Sequence, residues 1–182
     1  MESALRDFRQ EEFETLWRID QQCFAPGISY SRLELATYLR RPGAFALVAD
    51  ASQVTDTSGV KGASKQGQCS PAIVGFIVAE GGSRGRGHII TIDVLPQARG
   101  SGIGSRLLRA AEGRLWEAGC QSVILETAVD NKTAISFYKG HHYSVIKTLP
   151  GYYSNGVDAF VLKKDLLSPP ETANLPQGHR AP

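Results

Sequence analysis

The chain has 182 residues, 42% hydrophobic and 21% charged, enough for one domain with an ordinary core. Its 20 Lys and Arg against 18 Asp and Glu leave a net charge of +2, too even for a nucleic-acid-binding stripe. Cys23, Cys69 and Cys120 are odd in number and far apart, which argues against a disulfide framework or zinc site and for a reducing, cytoplasmic setting. The first ten residues lack an apolar signal core, and the longest apolar run, Ala72–Ala79, is far too short for a membrane span.

After a short opening segment (Ala4–Arg9), Glu11–Phe24 has a helical pattern, with Phe13, Leu16, Trp17 and Phe24 toward one face. Ala25-Pro26-Gly27-Ile28-Ser29-Tyr30 breaks it. Ser31-Arg32-Leu33-Glu34 is a capping box that starts a second helix, and Pro42-Gly43 stops that helix after Arg41. Ala44–Ala49 is a short strand. Residues 51–70 are small and polar with no period, so a flexible surface loop is expected. Ala72–Ala79 is a strand buried on both sides, and Gly81–Gly87 is a turn in which Arg84 and Arg86 meet solvent.

The centre of the chain is His88–Ala118. Ile90, Ile92 and Val94 at period two predict a buried strand, and from Ile103 the apolar residues switch to helical spacing. Ile103, Leu107, Leu108, Ala111 and Leu115 form the inner face, with Arg106, Arg109 and Glu112 largely opposite. Gly100, Gly102 and Gly104 lie between strand and helix. Uncovered amides at a helix N-terminus suit an anion, so this loop is read as a pyrophosphate cradle. Gly119 ends the helix, and Ser122–Thr127 is the next strand. Asp130 and Asn131 open a short helix with Ala134, Ile135 and Tyr138 on one face. Tyr143–Thr148 and Val157–Lys163 are the last strands, and residues 168–182, with four prolines, read as a disordered tail. This order predicts a mixed α/β (α+β) sheet, mostly antiparallel, and not the regular alternation of a doubly wound fold.

The glycine loop has three readings. A nucleoside triphosphate loop needs a Gly-Lys pair, which Gly104-Ser105-Arg106 lacks. A dinucleotide turn starts directly after its strand, whereas Pro96-Gln97-Ala98-Arg99 intervenes here. The third is a family resemblance. Val94-x-Pro96-x-x-Arg99-Gly100-x-Gly102-Ile103-Gly104-x-x-Leu107-Leu108, followed by Asn131-x-x-Ala134-Ile135-x-Phe137-Tyr138, resembles the acetyl-CoA motifs of the GNAT superfamily of N-acetyltransferases.

Within that superfamily the chain most resembles protein N-terminal acetyltransferases, including the RimI type that modifies a ribosomal protein. Phe24, Pro26 and Tyr30 resemble an aromatic–proline substrate loop. Tyr152 and Tyr153 resemble a hairpin that closes over a peptide N-terminus. Glu126 and Tyr138 have the spacing of the RimI catalytic pair.

The resemblance implies one GNAT domain over 1–167 with a V-shaped splay at the acetyl-CoA strand, acetyl-CoA as cosubstrate, no metal, and direct acyl transfer to the α-amine of a protein or peptide. A small-molecule amine as acceptor and a non-catalytic acyl-CoA-binding module are the alternatives. The implied cofactor-binding residues are Val94, Leu95, Arg99, Gly100, Ser101, Gly102, Ile103, Gly104, Ser105 and Asn131. Amides near Val94 and Leu95 would polarise the thioester carbonyl. Glu126 would take the amine proton, directly or through a water, and Tyr138 would protonate the leaving thiolate. Cys23 and Cys120 read as structural, and His141-His142 as exposed polarity at a helix end. One departure is visible: His142-Tyr143 stands where the superfamily commonly has Gly-Phe.

Overall fold

Seven strands form the core of the computed structural model, which describes residues 4–51, 72–82 and 85–166. The tail 168–182, Cys69, Arg84 and all but the first residue of the expected 51–70 loop lie outside the described residues. The strands are β1 (Leu5–Asp7), β2 (Ala44–Asp50), β3 (Ile73–Gly81), β4 (Arg86–Val94), β5 (Ser122–Ala128), β6 (Ser144–Leu149) and β7 (Ala159–Asp165). The helices are α1 (Phe13–Cys23), α2 (Arg32–Leu39), α3 (Ile103–Glu117) and α4 (Lys132–Gly140). In space the strands run β1-β2-β3-β4-β5-β7-β6, and every neighbouring pair is antiparallel except β4–β5.

The expected element order holds, with β1 added. Three residues are too few to show a period; β1 is held by pairing to Leu47–Ala49 and by Arg6, which reaches Asp50 at 2.7 Å and Glu12 at 2.6 Å. Ser31 caps α2 as expected, accepting from the Glu34 amide while the Glu34 carboxylate returns to the Ser31 amide.

Helices cover both faces of the sheet. On one, Leu107, Leu108, Ala111 and Leu115 of α3 pack on Leu47, Ile77, Val123 and Leu125. On the other, Leu16 and Ile19 of α1 and Leu35 of α2 pack on Val48, Phe76 and Val78. This is why β3 is an unbroken apolar run: its alternate residues enter different cores.

Two features of β4 place the site. Its register against β3 jumps from Val78↔Thr91 to Ala79↔Ile89, leaving Ile90 as the extra residue of a bulge. The period-two face read from Ile90, Ile92 and Val94 is corrected accordingly. Ile89 and Ile92 join the α3 core, while Ile90 joins the opposite one. The parallel pairing of β4 with β5 covers Arg86–Ile89 against Ser122–Leu125 and then stops. Both strands continue, and β5 stays fully paired with β7 to Ala128. The sheet therefore opens as a V beyond Ile89 and Leu125, the expected splay.

A second correction concerns α3. Glu112, assigned to the outer face, is completely buried; it accepts from Tyr143 Oη at 2.9 Å and from Lys164 Nζ at 2.7 Å. Helical spacing locates a face, but a carboxylate can turn inward where a cation and a phenol meet it. The departure at His142 is resolved in the backbone. His142 takes a left-handed φ of 68°, with its amide bonded to Lys139 O and the Tyr143 amide to Tyr138 O. That is a Schellman closure made by a residue other than glycine.

Candidate active site

A cavity of about 590 Å³ fills the V. One wall is β4 and the other is β5 with α4; the glycine loop and the start of α3 close one end, and Phe24, Tyr30, Tyr152 and Tyr153 stand at the other. The cavity exists because two strands that begin paired lose their ladder partners halfway.

At the loop end, Gly100 and Gly102 have φ of 76° and 81°, which favours glycine, and a Cβ at either position would meet nothing within 4 Å. Gly102 is the N-cap of α3 and no side chain caps the turn, so the first amides of a 15-residue helix face the cleft with the positive end of its dipole. This fits a pyrophosphate. Val94, Arg99, Ile103, Gly104 and Ser105 also line the cavity. Asn131 lines it while capping α4, its Oδ1 accepting from the Ala134 amide at 3.1 Å.

Three of the expected residues are placed elsewhere. The Leu95 amide donates to Val74 O at 2.9 Å and its side chain belongs to the α1 core, so it has no free donor for a thioester carbonyl. Ser101 turns its hydroxyl back to Ala98 O at 2.6 Å, on the exposed side of the loop. Pro26 is exposed and borders a smaller neighbouring hollow. Arg99 lines the cleft but folds inward, its Nε donating to Val94 O at 2.9 Å.

Glu126 and Tyr138 face the same cleft from β5 and α4. The Tyr138 ring is buried, and burial reinforced by Asp93 keeps its phenol above the usual range, hence protonated. Glu126 has a partner that sequence reasoning missed: His88 Nε2 lies 2.6 Å from its Oε2. His88 pairs with Ile124 across the parallel ladder and with Glu80 across the antiparallel one, so Glu126 is its diagonal neighbour. On its far side His88 Nδ1 is 3.7 Å from Glu80, which Arg41 reaches at 3.2 Å. The signal was His88 and Glu126 each interrupting an apolar strand, but only the parallel register joins them.

At the acceptor end, Tyr30 is firmly set: its amide donates to Asp20, its hydroxyl to Ile90 O at 3.2 Å, and its carbonyl accepts from Trp17 and Gln21. Tyr152 and Tyr153 meet edge to face at 5.1 Å, and burial raises both phenols. Ser154 Oγ donates to Gly27 O at 3.1 Å, joining the hairpin to the loop after α1. Cys23 borders the cavity, but burial beside Asp93 pushes its thiol up to about 11 and it donates to Val94 O. Burial also raises Cys120. Neither is a thiolate nucleophile. His141 is not the exposed residue expected: it is half-buried, with Nε2 2.8 Å from Ser105 Oγ. Among the described residues no cluster of His, Cys, Asp and Glu suits a metal, and no helix is long and apolar enough to cross a membrane.

This architecture recurs in known proteins. The crystal structure of Ard1 from Thermoplasma volcanium superposes with a TM-score of 0.75 at 25% identity, covering 92% of this chain and 100% of that one. A NatC complex bound to Gag peptide and CoA gives 0.72 at 25% identity over 91% of this chain and 99% of that one. N-alpha-acetyltransferase MAK3 of Arabidopsis thaliana is 39% identical over 115 residues, 61% of this chain and 57% of that protein. The chain thus spans about half the length of the first curated relatives it matches. The acetyltransferase (GNAT) family model matches residues 13–143, from α1 to the end of the α4 turn and across both walls of the cleft. By that match, which covers well over half its length, the chain belongs to the acetyltransferase (GNAT) family.

Proposed function

We propose that the protein is an acetyl-CoA-dependent N-acetyltransferase acting on the α-amine of a protein or peptide, by direct attack in a ternary complex. The observation that carries this reading is the cleft itself. Glu126 and Tyr138 line one gap between β4 and β5, with an anion-holding helix start at one end and a tyrosine-framed mouth at the other.

Acetyl-CoA supplies an acyl group activated as a thioester. The loop at Gly100–Ser105 holds its pyrophosphate. An α-amine has a pKa near 8 and is mostly protonated at neutral pH. Glu126, oriented by His88, takes that proton directly or through a water. The amine nitrogen bonds to the carbonyl carbon, the C–S bond breaks with its electron pair on sulfur, and Tyr138 gives the sulfur a proton and recovers one from the nitrogen, which keeps a single hydrogen as the amide. Tyr30, Tyr152 and Tyr153 hold the first residues of the acceptor. Similarity to N-alpha-acetyltransferases and to a peptide-bound NatC complex supports a protein acceptor, with a ribosomal protein as one candidate. The free thiols of Cys23 and Cys120 suit action in the cytoplasm.

The test is CoA release with free-N-terminus peptides beside a panel of small amines, confirmed by the mass gain of one acetyl group. Glu126→Gln and Tyr138→Phe should each lower kcat by about 100-fold, the scale of one proton transfer, with acetyl-CoA KM within about twofold. Full activity in both refutes the roles. Turnover of small amines alone refutes the peptide acceptor.

A further inference from the structure

We propose that His141 is a positioning residue for the cofactor loop, holding Ser105 so that its hydroxyl proton faces the pyrophosphate. The inference rests on the reading of that loop given above. Ser105 lies in the first turn of α3 and lines the cavity, and His141 stands behind it at the end of α4. Their Oγ and Nε2 are 2.8 Å apart. The His141 ring rests on Phe137 at 4.8 Å, and Phe137 is 3.5 Å from where a Cβ on Gly104 would sit. The end of α4 thus braces the start of α3 through two side chains, one apolar and one polar.

A hydroxyl has a single proton to give. If Nε2 accepts it, Ser105 turns that proton away from the cleft. If Nε2–H donates to Oγ, the proton is free to turn toward an anion. A pyrophosphate in the loop selects the second arrangement and favours the protonated ring. The charged and titratable groups facing His141 are Arg109 and Glu112 from α3, Lys164 from β7 and His142 from its own helix end. Burial holds the imidazole below its ordinary value; Glu112 opposes this and Arg109, Lys164 and His142 add to it, so the surroundings favour the neutral ring in the free protein. Binding a polyanion therefore draws a proton to His141, and affinity for it rises as pH falls.

The test uses the full chain with a peptide acceptor and compares acetyl-CoA with S-acetylpantetheine, which lacks the pyrophosphate. His141→Leu and Ser105→Ala should each raise acetyl-CoA KM, and the Kd for CoA measured by calorimetry without acceptor, by about fivefold to tenfold, the scale of one ordinary hydrogen bond. His141→Leu should leave kcat, peptide KM and the KM for S-acetylpantetheine within about twofold, and the double variant should be no worse than either single. His141→Gln, whose amide can donate in place of Nε2–H, should restore the KM but lose the wild-type strengthening between pH 8 and pH 6. An unchanged acetyl-CoA KM in His141→Leu, additive single effects, or an equal loss toward S-acetylpantetheine overturns the proposal. If the wild type itself does not prefer acetyl-CoA over S-acetylpantetheine, the loop reading fails instead.

Discussion

Lys164→Met tests what holds Tyr138 in place. Glu112 sits beneath α3 with its side chain 1% exposed, and Lys164, 19% exposed, meets it at 2.7 Å. The second carboxylate oxygen receives the Tyr143 hydroxyl, and the Tyr143 ring packs edge to face on Tyr138 at 5.7 Å. Removing the lysine strands a buried carboxylate, a change that typically costs about 3–5 kcal/mol. Water reaches the lysine end of the pair and the tyrosine bond survives, so the lower figure of about 3 kcal/mol applies. For a chain of this size that lowers Tm by about 6–12 °C. Urea unfolding followed by far-UV circular dichroism measures it. The triple variant Glu112→Met, Tyr143→Phe, Lys164→Met removes every polar member at once and should recover to within about 1 kcal/mol of wild type, since an apolar replacement of a buried ion pair is near neutral. A loss below about 1 kcal/mol in Lys164→Met, or a triple variant less stable than the single, refutes the reasoning.

His142→Gly should stabilise the protein by about 0.5–1 kcal/mol in the same assay, because relief of a left-handed backbone outweighs the added freedom of the unfolded chain. Asp93 is held well above the usual carboxylate range by burial and by Asp20, and burial pushes Asp20 up to about 6. Both bind a proton more tightly folded than unfolded, so their stabilising effect is complete below about pH 4 and is lost as pH rises through the folded values, at up to about 1.4 kcal/mol per pH unit per proton. Asp93→Asn should remove one proton's worth of that slope and leave the protein more stable at pH 7; an unchanged slope in urea midpoints from pH 4 to 8 counts against it. His88→Leu should lower kcat by about tenfold or more with acetyl-CoA KM unchanged; unaltered turnover would make the His88–Glu126 contact structural.

Much of the fold was legible because it depends on short-range signals. The capping box at Ser31, the glycine after α3 and the two-core alternation of β3 each act within a few residues of where they are written. What could not be read depends on pairing between distant segments. The bulge at Ile90 is a property of β4 against β3, so the strand's own period pointed to a single face. The inward turn of Glu112 needs Lys164, 52 residues away. The three residues of β1 carry no pattern apart from their partner β2.

The site divides along the same line. Its motif residues were found because backbone demands leave compositional marks: glycines where φ is positive, an asparagine where a helix must be capped. Leu95 and Ser101 lie within the motif yet face away, because motif spacing fixes where a backbone runs and not which amide remains free. The partner of Glu126 stands one layer behind. His88 reaches Glu126 only because β4 and β5 run parallel as far as Ile89 and Leu125; one more ladder pair would close the cleft that Glu126 faces. The same interruption that opens the cleft thus brings Glu126, the proposed proton acceptor, to its edge. The fold and the proposed chemistry share one cause, the point at which two strands stop pairing.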